Sequence, residues 1–202
     1  MKIKNKALIY LVLFLVLVGT FVYFVDVSPD DYYQYATGDA VYDVYIVSDN
    51  EVKIPITLGS YGDEWTLVMR DDPASLENIP VYGTLNTRIY DDEAVFITID
   101  PNAGLTGKTT IAALEIDKVI DNEDIYGIPT YSAMTSEYGE YPVITCADAN
   151  SDYTVIYLTL GEETIVYTQD YCIIVQGVDE DDLIRAADRL VYNLLGIMSW
   201  TA

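Results

Sequence analysis

Apolar and polar positions follow three regimes along this chain. The first is an unbroken apolar run over residues 7–25 (ALIYLVLFLVLVGTFVYFV), preceded by Lys2, Lys4 and Lys6. As a helix its 19 residues span roughly 28 Å, close to the hydrocarbon thickness of a bilayer. The run exceeds the apolar core of a cleavable signal, and it ends Tyr23-Phe24-Val25-Asp26 with no small-x-small triplet. A retained transmembrane signal-anchor is therefore expected. The cationic flank of such a segment stays in the cytoplasm, so residues 1–6 form a cytoplasmic tip and everything after residue 25 faces outward.

The second regime has period two. Residues 26–40 are polar and turn-rich and read as a tether. Residues 41–47 (VYDVYIV), 53–58 (KIPITL) and 65–69 (WTLVM) read as strands of an antiparallel meander. Pro55 assigns the second of them to an edge. A weaker extended stretch at 81–85 completes a β-rich subdomain over 41–90.

In the third regime, residues 91–202, strands and helices mix. Residues 94–99 (AVFITI) are a short buried strand, 100–104 a turn, and 108–120 a helix whose apolar face carries Ile111, Leu114 and Val119. Extended stretches at 125–130 and 143–146 follow. The runs 153–160 and 164–168 form a hairpin through Gly161-Glu162-Glu163, and 172–176 is a further strand. Residues 179–198 are the strongest helix, with four acids at its start and Leu183, Ala187, Leu190, Leu194 and Ile197 at helical spacing. Arg185, Asp188 and Arg189 interrupt that stripe, so this helix docks on a sheet and does not cross a membrane. The expected fold class is α+β. An N-terminal transmembrane helix precedes a mixed α/β ectodomain with antiparallel hairpins, a central strand–loop–helix unit and a C-terminal amphipathic helix packed on the sheet.

Charge sharpens this picture. Beyond residue 25, 33 acidic groups against seven basic ones leave a formal charge of −26. Nucleic acid and anionic headgroups are repelled by such a domain. The acids also cluster, which suits either a high-salt environment or hard-cation binding. Asp91, Asp92, Glu93, Asp179 and Asp181 are the carboxylate candidates for Ca²⁺, although no cluster has the alternating spacing of an EF-hand loop.

Histidine is absent. That removes Ser-His-Asp and Cys-His catalysis and every His-ligated metal centre. Cys146 and Cys172, both on the outward side, are expected to form one disulfide. Residues 102–109 (NAGLTGKT) sit between a strand and a helix like a phosphate-binding loop. Asn102 stands where that pattern needs glycine, and the charge opposes phosphate, so the nucleotide reading is rejected. Two acids in one cleft would allow glycoside hydrolysis, and with 33 acids the sequence does not single out a pair. Tyr32, Tyr33, Tyr35, Tyr42 and Tyr45 are candidates for an interaction face or for ordinary strand packing.

Two resemblances bear on function. The short basic leader, apolar helix and β-rich head resemble pilin precursors, with Lys6-Ala7-Leu8 as an archaeal-type processing point. Val12 stands near the place where such pilins carry Glu or Gln. Residues 97–102 (ITIDPN), 111–116 (IAALEI), 142–146 (PVITC), 171–175 (YCIIV) and 186–190 (AADRL) resemble uncharacterised archaeal secreted or membrane-anchored envelope proteins. That resemblance implies an envelope location and no particular activity. The expected role is thus non-enzymatic, structural or protein-binding, at the cell surface. The alternatives are a carboxylate-based glycan hydrolase and a pilin-like filament subunit.

Overall fold

In sheet A four strands run in chain order: β1 (Asp31–Thr37), β2 (Ala40–Ser48), β3 (Glu51–Leu58) and β4 (Asp63–Met69). These coordinates come from a computed structural model that describes residues 31–58, 62–83, 89 and 92–199. The 7–25 run, residues 26–30 of the expected tether and Asp91 lie outside them. Among the described residues no helix is long and apolar enough to cross a membrane.

The period-two pattern sorts sheet A into faces. Val44, Val52, Ile54, Ile56, Leu67 and Met69 are buried, while Thr57, Glu64, Thr66 and Val68 are exposed. Two expectations are corrected here. Residues 31–37 are not tether but strand β1, whose Tyr33 and Tyr35 pack against the core. Pro55 is not on an edge, because β3 lies between β2 and β4. The register with β2 runs from Tyr45–Lys53 to Ser48–Glu51. Pro55 falls beyond that stretch, where its missing N–H removes no ladder bond on that side.

Sheet B has the order β5-β9-β10-β8-β6-β7. Its strands are β5 (Val81–Tyr82), β6 (Ala94–Ile99), β7 (Thr130–Met134), β8 (Tyr153–Leu160), β9 (Ile165–Gln169) and β10 (Cys172–Gly177). Strands β7, β6, β8 and β10 run parallel. Strand β9 is antiparallel to β10, and β5 is parallel to β9. Residues 153–160 and 164–168 therefore do not pair as a hairpin, because β10 inserts between them. Gly161 makes the crossing possible: its N–H donates to the Gly177 carbonyl at 2.9 Å, and an added Cβ would fall 2.2 Å from Cδ of Gln176. The physical reason lies in burial. Val155, Ile156 and Leu158, and Cys172 through Val175, are buried on both sheet faces, which suits inner parallel strands better than a half-solvated hairpin. Residues 143–146 are not a strand either. Val143 makes one isolated bridge to Met134, and a 3-10 turn, Cys146–Asp148, follows.

Helix α1 (Gly107–Ile120) links β6 to β7, and α2 (Glu180–Leu194) follows β10. The Thr106 side chain caps α1 by accepting from Lys108 N–H, and Asp179 caps α2 by accepting from Asp182 N–H at 2.9 Å. All five stripe residues of the C-terminal helix, Leu183 through Ile197, are buried as expected. So are Ile184, Ala186, Val191 and Tyr192, so α2 is covered on all sides from Ala186 onward. It packs on sheet B and is met from the other side by sheet A. There the N–H groups of Arg70 and Asp71 donate to Asp188 Oδ2 at 3.1 and 2.8 Å, and the Tyr192 hydroxyl donates to the Asp71 carbonyl at 2.7 Å. Lys118 donates to the Val68 carbonyl and pairs with Glu115. Arg189 donates to the carbonyls of Ile79 and Ser199. The polar residues that break the stripe thus tie the layers together. A single apolar cluster runs through both sheets and both helices. Tyr32–Ala202 is one compact unit, and β5, which lies before residue 90, already belongs to sheet B.

Candidate ligand cleft

Alternation in sheet B leaves a second face turned away from the helices. Val155, Cys172 and Ile174 are buried there, with Phe96, Tyr157 and Tyr167 packed around them. Residues 143–149 cover part of this face. They are held by three devices: Thr98 Oγ1 donates to the Ile144 carbonyl at 2.8 Å, Ile144 N–H donates to the Met134 carbonyl at 2.9 Å, and Cys146 is disulfide-bonded to Cys172 with Cα atoms 5.1 Å apart. The expected disulfide is thereby formed.

Beside that covering segment lies a cleft of about 450 Å³, walled by Phe96, Tyr131, Tyr153 and Ile144 with Glu93 and Asp148 at its rim. The register explains its shape. Phe96 stands opposite both Tyr131 and Val155, while the small Ala94 stands opposite Tyr153 and leaves room. The Phe96 ring lies 5.7 Å from Tyr131 at an interplanar angle of 34° and 6.0 Å from Tyr153 at 63°. The three rings form inclined walls and not a flat platform. Tyr131 is 52% exposed, so the cleft opens to solvent.

Both carboxylates are held. The Tyr153 hydroxyl donates to Glu93 Oε2 at 3.1 Å, and that bond, with the glutamate charge, raises the phenol's pKa. Asp148 Oδ2 accepts from the Thr145 N–H at 2.8 Å and the Thr145 hydroxyl at 2.9 Å. These bonds, the backbone one first, lower the Asp148 pKa. An ionised, fixed Asp148 accepts hydrogen bonds and positive charge; it is unsuited to donating a proton to a leaving sugar. Comparison with protein-family models, with curated proteins and with solved structures gives no match.

The carboxylates singled out for Ca²⁺ do not come together. Asp92 and Glu93 precede β6 at one end of sheet B, and Asp91 is outside the described residues. Asp179 and Asp181 stand at the start of α2, beyond the other end of the parallel strands. Asp179 is occupied as the helix cap, and Asp181 pairs with Lys108 at 2.6 Å. Among the described residues, no three His, Cys, Asp or Glu side chains converge on a point that could hold a metal ion. Of the candidate tyrosines, Tyr33, Tyr35 and Tyr42 pack into the core. Tyr32 stacks on Tyr45 at 5.1 Å and donates to Asp43. None of them lines the cleft. Phe96, Tyr131, Tyr153 and Asp148 were not distinguishable in the sequence, because the first three are brought together only by the parallel register of β6, β7 and β8 and the last only by the 143–149 segment laid over that face.

The phosphate-loop lookalike has a physical explanation. Glu180 places its own carboxylate over the start of α1. It accepts from the N–H groups of Thr106 and Thr109 at 2.8 and 3.1 Å and from both hydroxyls at 2.7 and 2.6 Å. The anion-binding end of the helix is filled from within. The Thr109 hydroxyl, then those from Thr106 and the two amides, hold Glu180 down to a pKa of about 2. A carboxylate with a depressed folded pKa stabilises the fold above its unfolded value and loses that effect as pH falls through the folded one. The stability gap between wild type and Glu180→Gln is therefore expected to be full above about pH 4.5 and to close towards pH 2. Urea midpoints measured across that window check it, and a gap constant with pH would rule it out.

Proposed function

We propose that this chain is an outward-facing binding module of the cell envelope, held at the membrane by residues 7–25 with its N-terminus in the cytoplasm, and that the aromatic cleft is where it engages its partner. The observation that carries the reading is the cleft itself. Three ring-bearing side chains and two fixed carboxylates surround about 450 Å³ of open space, a volume in the range of ligand sites. Tyrosine beside aliphatic and acidic groups is the composition of a binding surface with an apolar floor and a polar rim. The apolar 7–25 run, its lysine flank and the disulfide support the placement outside the cytoplasm. The resemblance to archaeal envelope proteins supports the compartment. The role read here is recognition, in keeping with an Asp148 that Thr145 holds ionised and ready to accept hydrogen bonds and positive charge.

The test uses the full chain in neutral detergent, incubated with envelope fractions at native salt. Tyr131→Ala removes an exposed wall of the cleft and is expected to lower retention about tenfold, the effect of losing an aromatic anchor. Tyr82→Ala serves as control: Tyr82 is similarly exposed but lies on β5, at the far edge of sheet B. Equal retention of the two variants and wild type would remove the cleft from the binding function.

A further inference from the structure

Granted a binding role for this cleft, we infer that the group it takes is a cationic side chain, lysine or arginine, presented by a partner protein. The cleft's fixed polar groups are carboxylates. Glu93 Oε2 accepts a hydrogen bond from the Tyr153 hydroxyl, and Asp148 Oδ2 accepts both bonds from Thr145. That leaves the second oxygen of each carboxylate to accept from a ligand. Among the described residues no lysine or arginine lines the cleft, which leaves these carboxylates open to a cation brought by a ligand.

The rings point the same way. A cation is attracted to an aromatic face within about 6 Å of its centre. Phe96 with Tyr131 at 34° and Tyr153 at 63° offers faces from different directions around one space. A pyranose ring stacks best on one flat ring, whereas these walls are inclined to one another. Anionic ligands meet two carboxylates and a domain whose outward part carries −26. That same field draws basic partners in. Only seven basic residues stand beyond residue 25, and none of the described ones lines the cleft. Exposed Tyr131 at the mouth extends the contact to a polypeptide carrying the cation, in keeping with the tyrosine enrichment of protein interfaces.

The experiment titrates the full chain in neutral detergent with acetyl-Gly-Lys-Gly-amide, its arginine counterpart, and a neutral counterpart bearing Nε-acetyl-lysine. The ring signals of Phe96, Tyr131 and Tyr153 are followed by NMR. The two basic peptides are expected to shift these signals and the neutral one to bind at least tenfold more weakly. Tyr131→Ala and Glu93→Gln should each weaken the basic peptides about three- to tenfold. Tyr82→Ala and Glu162→Gln, the latter at the opposite end of β8, should leave binding unchanged. Equal binding of the neutral peptide overturns the proposal, and so does equal weakening by Glu93→Gln and Glu162→Gln, which would mean diffuse attraction to an acidic surface. If Tyr131→Ala abolishes envelope retention while no basic peptide binds, the cation is wrong and the cleft remains the binding site. If Tyr131→Ala leaves retention untouched, both readings fall.

Discussion

Asp188→Ala is expected to destabilise the domain by about 3 kcal/mol, since it strips the shared acceptor from two backbone N–H groups at the junction of sheet A and α2. Asp188 is fully buried, and its Oδ2 holds Arg70 N–H and Asp71 N–H at 3.1 and 2.8 Å. Alanine leaves both donors unpaired between layers that exclude water. Asn keeps an acceptor of nearly the same shape, so Asp188→Asn separates the hydrogen bonds from the charge. Burial pushes the Asp188 carboxyl well above the usual range, and the charges of Glu115 and Asp71 push it further. A carboxyl with a raised folded pKa contributes fully below its unfolded value of about 3.9, and the contribution is lost as pH rises through the folded value. Asp188→Asn should therefore match wild type below about pH 4 and gain on it as pH rises above that, with Asp188→Ala below both at pH 4. Urea unfolding followed by Trp65 fluorescence reads all three. An alanine variant as stable as wild type at pH 4 would show that those two N–H groups need no acceptor.

Asp188 also shows what was legible in the sequence and what was not. It breaks the apolar stripe of the C-terminal helix, and by pattern alone it marks a solvated face. In the fold it is the point where a third layer lands. The two helices were readable because i, i+3 and i+4 spacing is local, although Leu114, expected on the apolar face of α1, is 55% exposed. The strands of sheet A were readable from alternation, apart from β1, whose tyrosine-rich DYYQYAT reads equally as polar linker. Strand order in sheet B was not readable, because pairing depends on contacts far apart in the chain. One signal was present: the unbroken CIIV of β10 and VI of β8 fit strands covered on both faces, and this argued against a half-exposed hairpin. The cleft was hidden for the same reason. The residues around it come from β6, β7, β8, the turn before β6 and the 143–149 segment, and a shift of one residue in any register would turn a ring to the opposite face.

Replacing the Cys146–Cys172 disulfide by the Cys146→Ala/Cys172→Ala pair is expected to cost about 3.5 kcal/mol, the chain-entropy value for the loop it closes. The two cysteines are 26 positions apart, and the loop between them contains the whole of β8, an inner strand of sheet B. The bridge also has a local task. Residues 143–149 carry Ile144 and Asp148 to the cleft, and besides the disulfide they are tied to sheet B by the bonds to Thr98 and Met134. Those two bonds lie at the Ile144 end. Cys146 is the anchor nearest Asp148, so its loss should free the acidic rim before the apolar wall. The expected result is therefore twofold: a lower urea midpoint for the whole domain, and faster amide hydrogen exchange at residues 145–149 under native conditions, with β8 and β10 still protected. Binding at the cleft should fall with the second effect even where the domain remains fully folded. If the midpoint drops while exchange at 145–149 is unchanged, the bridge acts only by restricting the unfolded chain, and Asp148 is held in place by its Thr145 bonds alone.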